Sequence, residues 1–399
     1  MAKVAIMGFG TVGSGVYEII KDNASRVAEN AGETLETKYI LDIRDFDDHP
    51  DKHLFTKDVN DIINDSEVSI VAEVMGGLHP AYEFTKSMLM AGKSVVTSNK
   101  ELVATYGTEL LQIAEEKNVN YLFEASVGGG IPVLRPLSRC LAANNITRIA
   151  GILNGTTNYI LYEMFTKNKS FNDALADAQA NGYAERNPAA DIEGHDACRK
   201  IAILASLASG MEVDAERIST DGIVDITLDD VKCAEAAGGV IKLIGYAELS
   251  DGKVYSHVAP MFIKNDNMLS GINGVFNGIL ITGDAVGDVM FYGAGAGKLP
   301  TASAVVADMV DSAIHSSRRK LIGWKKSETD IMDDGTEKTF RYLVRCKNTE
   351  QEIMALTNAG ILYNENGTVA FTTEAMTAKE CEILSDKLGK VESAIRILD

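Results

Sequence analysis

The sequence predicts an α/β protein in three parts: an N-terminal parallel sheet with helices on both faces, an α+β middle domain, and a small α+β C-terminal domain. Three observations carry this reading. Short apolar runs alternate with helical patterns over the first third of the chain, as parallel strands joined by crossover helices do. The texture changes at the glycine-rich stretch Gly128-Gly129-Gly130-Ile131-Pro132. A separate order of strand, helix, strand, helix and strand occupies residues 340–399. The domains are therefore expected at 1–130, 131–322 and 323–399, with a helix at 303–317 returning to the first.

Along the chain, residues 3–8 and 38–43 read as the first two strands. Residues 69–74 and 94–98 read as two more, separated by a helical pattern at 81–91. The middle domain is expected to hold a strand at 146–153, helices around 159–165, 171–181 and 192–209, and short strands within 280–292. A glycine loop follows at 293–297. The tail reads as strands at 340–346, 369–373 and 391–398, with a helix at 378–388. No solenoid-type repeat and no low-complexity segment interrupts it.

Charge narrows the function classes. The chain carries 38 basic and 57 acidic residues, a net charge of −19, which repels phosphate backbones and anionic lipid. No basic run or aromatic platform for nucleic acid is present, and no apolar stretch approaches the roughly 20 residues of a membrane helix. Nucleic-acid and membrane partners are thus not expected. The first residues run straight into a strand, with no signal-peptide pattern. None of the five cysteines stands in a C-x-x-C pair, so free thiols and a cytoplasmic location are expected.

Gly8-Phe9-Gly10-Thr11-Val12-Gly13 matches G-x-G-x-x-G between a strand and a helix, the context this motif requires. Gly8 permits the tight turn, Gly10 lets the backbone approach a pyrophosphate, and Gly13 allows close helix–strand packing. The helix start then offers free N–H groups to the phosphates. The first domain is accordingly expected to be a Rossmann-type dinucleotide-binding unit. The second strand ends in Asp42-Ile43-Arg44-Asp45. An acidic residue there accepts from the ribose 2′-OH of NAD, and an arginine pairs with the 2′-phosphate of NADP. Both types are present, so the residues alone leave the choice open.

Two clusters suit catalysis. Thr97-Ser98-Asn99-Lys100 lies just past a strand, where such sheets place their ligands, or else Lys100 is a surface lysine at a helix start. The second is the stretch from Glu185 to Lys200. Asp196 and Lys200 share one helical face. An exposed ion pair would do no chemistry, but the continuation Ile201-Ala202-Ile203-Leu204-Ala205 is apolar nearly all round. Such a helix is mostly buried, and buried charges need partners or a task. His195 has no second His or Cys at ligand spacing and reads as a polar contact.

Residues 3–13, 97–100, 151–161 (Gly-Ile-Leu-Asn-Gly-Thr-Thr-Asn-Tyr-Ile-Leu), 183–200 and 295–308 (Gly-Ala-Gly-Lys-Leu-Pro-Thr-Ala-Ser-Ala-Val-Val-Ala-Asp) together resemble the signatures of homoserine dehydrogenases, in order, over roughly the first 320 residues. The resemblance implies oxidation of L-homoserine to L-aspartate 4-semialdehyde with NAD or NADP, and the reverse, in threonine, methionine and isoleucine biosynthesis. It implies Lys200 as the catalytic proton donor and acceptor, Lys100 as a second lysine near the nicotinamide, and Asp191 and Asp196 as acids that shape the site. It assigns the substrate ammonium to Glu185, and a substrate loop facing the cofactor to Asn154, Gly155 and Thr156. Gly8, Phe9, Gly10, Thr11, Val12, Gly13, Arg44, Thr97, Ser98, Lys100 and Gly297 would contact the cofactor, and Arg44 inclines the choice towards NADP. Glu124, Val127, Gly129 and Ile131 would hold a structural monovalent cation, sodium, largely through main-chain carbonyls. A homodimer or higher homo-oligomer is also implied.

The order of elements in residues 340–399 resembles an ACT regulatory domain. The usual Asp-x-Pro-Gly loop is replaced by Cys346-Lys347-Asn348-Thr349-Glu350-Gln351, so weak or no threonine inhibition is expected. Every catalytic motif precedes residue 310, so residues 325–399 are expected to be dispensable for activity. Two other readings remain: a semialdehyde acyl reductase, which needs an activated cysteine that Cys198 poorly supplies, and a nucleotide-sensing protein, which would not need the Glu185 to Lys200 cluster.

Overall fold

The computed structural model describes residues 1–357 and 359–399. By contact the chain forms two compact units. Met1–Thr147, Ala202–Arg217 and Ile281–Ile331 make the first; Arg148–Ile201, Ile218–Leu280 and Met332–Asp399 make the second.

The first unit is built on strands β1 (Ala2–Met7), β2 (Leu35–Leu41), β3 (Phe55–Thr56), β4 (Val68–Glu73), β5 (Ser94–Thr97) and β6 (Tyr121–Leu122), in the order β3-β2-β1-β4-β5-β6. All neighbours pair in parallel. Val4, Ala5, Ile6 and Met7 are fully buried, because helices cover both faces of such a sheet and leave no polar side to alternate with. The strand order reverses between β1 and β4, which opens the ligand crevice beyond their carboxyl ends. Helix Lys298–Ile314 belongs to this unit and packs on helix Thr11–Asp22. The packing is close: a Cβ at Gly15 would stand 2.9 Å from that of Ala302. Val16, Ile70, Ala72, Val96, Val305 and Met309 share one core.

The second unit carries a mixed sheet. Its strands run in the order Phe276–Gly283, Ile146–Ile152, Gly239–Ser250, Lys253–Lys264, Val391–Leu398, Tyr342–Cys346, Thr368–Thr372 and Ile361–Glu365. The hairpin of Gly239–Ser250 and Lys253–Lys264 turns at Asp251 and Gly252, both with positive φ (51° and 73°), as a two-residue hairpin loop demands. Val391–Leu398 pairs in parallel with Lys253–Lys264 and antiparallel with Tyr342–Cys346. The tail therefore continues the sheet of the middle domain. Buried Arg345 reinforces the junction, its Nε donating to Asp230 Oδ1 at 2.7 Å. Asp230 also takes bonds from Thr227 and Ser393. Burial pushes its carboxyl up, yet these bonds outweigh burial and hold it below the usual range. The loop that replaces the Asp-x-Pro-Gly turn closes on its own domain: Asn348 Nδ2 donates to Leu388 O at 2.9 Å, and Lys347 N to Lys390 O at 3.0 Å.

His257, on Lys253–Lys264, is fully buried among Tyr246, Tyr255 and Phe340. Neither ring nitrogen has a partner among the described residues. Burial, assisted by the Arg396 charge, lowers its pKa to about 3. The folded state thus favours the neutral ring, while the unfolded chain takes up a proton below about pH 6.5. Stability conferred above pH 6.5 should fall by about 1.4 kcal/mol per pH unit as pH drops towards 3. Urea midpoints measured from pH 7 to 4 should decline more steeply for this chain than for His257→Phe; equal slopes would refute the assignment.

Candidate functional site

In the second unit a chain of short polar contacts joins four of the residues singled out from the sequence. Asn154 caps helix Gly155–Lys167, its Oδ1 accepting from Thr157 N at 2.9 Å. Its Nδ2 donates to Asp191 Oδ1 at 2.7 Å and to Asp196 Oδ2 at 2.8 Å. Lys200 Nζ donates to the same Asp196 Oδ2 at 2.7 Å and to Leu153 O at 2.7 Å. Asp196 and Lys200 are 5% and 8% exposed, so they are not a solvated surface pair. The sequence suggested one helix over 192–209; the chain instead forms Ala189–Ile192 and His195–Ser209, with Gly194 at φ +88° between them. That break allows Asp191, before it, and Asp196, after it, to meet one amide. Thr156 Oγ1 donates to Tyr183 O at 2.6 Å. Glu185 is exposed on the following turn and lies outside the bonded chain. His195 is also exposed, 3.4 Å from Glu193, and Cys198 is buried within its helix.

In the first unit the glycine loop has the geometry its motif demands. Gly8 sits at φ +99°, and a Cβ on Gly13 would lie 1.9 Å from Gly8 O. Around Gly10, which caps helix Thr11–Asp22 without a side-chain bond, there is open space. Backbone donors are therefore left for a pyrophosphate, so the residues present fit a dinucleotide. Phe9 N donates to Asp42 Oδ2 at 2.8 Å. Arg44 folds over the same carboxylate, its Nε on Asp42 Oδ1 at 2.9 Å, and its Nη2 reaches Phe9 O at 2.9 Å. The Arg44 guanidinium foremost holds the Asp42 carboxyl down at about 2.

At the ends of β4 and β5, Glu73 is wholly buried. Its carboxylate accepts from Thr97 Oγ1 at 2.6 Å and Met75 N at 2.9 Å. Thr97 Oγ1 in turn accepts from Asn99 N at 2.9 Å. Asn99 caps the helix that begins at Lys100, accepting from Leu102 N and donating to Gly77 O at 2.6 Å. Burial raises the Glu73 pKa. Sequence reasoning found Thr97, Ser98 and Lys100 but missed Glu73; a carboxylate closing the apolar run Ile70-Val71-Ala72 at the end of strand Val68–Glu73 was the signal.

The glycine bend after Glu124 follows in the same unit. The Glu124 carboxylate accepts from the N–H groups of Val133, Leu134 and Arg135 at 2.6–2.8 Å. Arg135 Nε adds a fourth bond at 3.2 Å, which fills the carboxylate's acceptor sites, so the main-chain carbonyl is the Glu124 oxygen left for an ion. Gly128 and Gly129 both have positive φ, and a Cβ on Gly129 would strike Gly295 O at 2.5 Å, which places the bend against the loop that ends at Gly297. No backbone N–H of a turn or loop among the described residues donates to the carbonyl oxygens of Val127, Gly129 or Ile131. Main-chain carbonyls of this kind suit a hard monovalent cation. Among the described residues, no group of three or more His, Cys, Asp or Glu is arranged for a metal ion.

Two family models cover most of the chain: the homoserine dehydrogenase NAD-binding domain over residues 8–124 and homoserine dehydrogenase over 132–310. A homoserine dehydrogenase of Pseudomonas aeruginosa is 43% identical over 314 residues, 77% of this chain and 71% of that one. The chain belongs to the homoserine dehydrogenase family. As a homoserine dehydrogenase it is an NAD(P)-dependent oxidoreductase of amino-acid biosynthesis. The crystal structure of the homoserine dehydrogenase from Thiobacillus denitrificans superposes with a TM-score of 0.92 at 34% identity, over 100% of this chain and 98% of that one, so the likeness includes the C-terminal α+β region. A hyperthermophilic archaeal homoserine dehydrogenase mutant in complex with NADPH matches 78% of this chain and 98% of its own, at a TM-score of 0.68 and 30% identity. Among the described residues of this homoserine dehydrogenase, no helix is long and apolar enough to cross a membrane.

Proposed function

We propose that Lys200 is the group that takes the hydroxyl proton of L-homoserine and returns it when L-aspartate 4-semialdehyde is reduced. The observation that carries this reading is the chain of hydrogen bonds from half-buried Asp191 through the buried Asn154 and Asp196 to Lys200. Asp196 Oδ2 receives two donors at once, which aims Lys200 Nζ and gives a proton on it a hydrogen-bonded neighbour. A positioned acid–base group needs such orientation as much as basicity. Lys100 stands beside the reacting oxygen, Glu185 holds the substrate ammonium, and the turn of Asn154, Gly155 and Thr156 faces the cofactor. When bound, the nicotinamide accepts the hydride from the terminal carbon of homoserine.

The Gly8 to Gly13 loop, Thr97, Ser98 and Gly297 hold that cofactor, and NADP is preferred. The exposed Arg44 guanidinium supports this choice, since it needs only to swing from Asp42 to meet a 2′-phosphate; the archaeal relative bound to NADPH is consistent with it. Sodium is held by the carbonyls of Glu124, Val127, Gly129 and Ile131. The enzyme works in the cytoplasm as a homodimer or higher homo-oligomer, in domains bounded near residues 130 and 322. The tail is structural and carries no threonine pocket.

The test is the rise of reduced-cofactor absorbance with L-homoserine, run with NAD and NADP in parallel on this chain and on Arg44→Ala. Charge-assisted bonds to phosphate contribute about 1.5–3 kcal/mol, so the variant should raise the KM for NADP by about 10-fold or more and that for NAD far less. Equal effects would leave Arg44 as a clamp between Asp42 and the Phe9 carbonyl, with no part in discrimination.

A further inference from the structure

Lys242 lies on Gly239–Ser250 and is 3% exposed. Its Nζ donates to Ile272 O at 2.6 Å, Asn158 Oδ1 at 2.9 Å and Asn273 Oδ1 at 3.4 Å. All three partners are neutral oxygens, and burial lowers its pKa to about 8. A buried ammonium without a counter-charge is costly, and an apolar residue would serve the sheet core better. What the lysine supplies instead is three directed donors.

Those donors converge with a second set. Asn158, 1% exposed, is on the first turn of helix Gly155–Lys167, and its Nδ2 donates to Ile272 O at 3.2 Å and Phe276 O at 3.1 Å. Lys242 and Asn158 thus tie residues 272–276 to the start of this helix. The same segment presses on the helix end itself: a Cβ at Gly155 would stand 2.6 Å from Val275 O. The residue before Gly155 is Asn154, whose amide bridges Asp191 and Asp196.

We propose that Lys242 is a positioning residue for the dehydrogenase reaction: with Asn158 it clamps residues 272–276 against the helix start, and so fixes the direction in which the Asn154 amide meets Asp196 and, through it, Lys200. The inference rests on the catalytic reading of Lys200 given above. It adds a residue remote in sequence from every catalytic motif, on a strand that those motifs do not include.

The test is a double-mutant cycle on the intact enzyme. Lys242→Met keeps the aliphatic stem and removes the donors. A misdirected amide should lower kcat with homoserine by about 10- to 100-fold, the scale set by small displacements of a reacting group, with the KM for cofactor unchanged. Asn154→Ala should lower kcat by a comparable factor. If Lys242 acts through Asn154, the double variant loses little more than Asn154→Ala alone. Losses that multiply, or a folded Lys242→Met with full kcat, would overturn the proposal. Asn158→Asp covers the case in which Lys242→Met does not fold. It gives Lys242 a counter-charge and removes the donors to Ile272 and Phe276, so it should fold and still lose kcat; full activity in it would likewise overturn the clamp. Lys200→Ala separates the two readings. If Lys200→Ala is inactive while Lys242→Met is normal, only the clamp fails; if Lys200→Ala is active, the catalytic reading itself fails.

Discussion

Lys200→Ala is expected to lower kcat with homoserine by about 10²–10⁴-fold while leaving the KM for cofactor nearly unchanged, the usual consequence of losing a positioned acid–base group. The proposed cofactor loop, Gly8 to Gly13, lies in the other compact unit, so cofactor affinity is expected to hold. The substitution also removes from Asp196 Oδ2 a 2.7 Å donor, which stands beside the 2.8 Å bond from Asn154. Some loss of thermal stability should accompany the loss of rate, because breaking a buried ion pair from one side is destabilising. The two effects separate in one experiment: kcat is measured on protein whose circular dichroism shows it folded at the assay temperature. A folded Lys200→Ala enzyme that kept most of its kcat would end the assignment.

Deleting residues 325–399 is expected to abolish soluble enzyme, not merely to trim a regulatory appendage. The motifs alone, all before residue 310, suggested a dispensable tail. The sheet corrects that expectation. Lys253–Lys264 pairs with Val391–Leu398, and Leu398 and Phe340 pack in the same core as Ile244, Tyr246 and Met261. Truncation would uncover the apolar edge segment of Met261, Phe262 and Ile263, which invites aggregation, and would leave the buried Asp230 without Arg345. Arg345→Met isolates the second term. Breaking a buried pair from one side costs about 3–5 kcal/mol, so its urea midpoint should fall sharply while the kcat of the folded fraction holds. A truncated chain that was soluble, monodisperse and active would show that the tail strands are ornamental.

The parallel sheet was legible because its strands are nearly continuous apolar runs, as burial on both faces requires, and because Gly8, Gly10 and Gly13 punctuate the first of them. Helix Ala378–Leu388 and strand Val391–Leu398 fall where the sequence placed them, since Thr377 with Glu380 forms a capping box and Gly389 ends the helix in the left-handed region. The long hairpin at 239–264 escaped notice although Asp251-Gly252 is a strong turn signal. Its strands lack polar alternation, and Lys242 and His257 interrupt the runs that burial would otherwise make obvious. At the candidate site, the i,i+4 spacing and the apolar helix were enough to find Asp196 and Lys200. Asn154 entered only through family resemblance, and Glu73 and Lys242 not at all. Most of their partners lie on other helices, strands and turns, and contacts between elements far apart in sequence leave no local period to read.

The position of Val391–Leu398 also bears on how the protein is made. This strand sits between Lys253–Lys264 and Tyr342–Cys346, yet it leaves the ribosome after both. The second unit therefore cannot complete its sheet from the N-terminal side as synthesis proceeds; His257 and Val258 can pair with Ser219 and Thr220, but Met261, Phe262 and Ile263 must wait for their partners while more than a hundred further residues are added. Closing so long a loop is slow more than it is unfavourable, and the waiting edge is where nascent chains adhere to one another. Yield in a cell should accordingly depend on translation speed and on chaperones that shield that edge, more than on the stability of the finished enzyme.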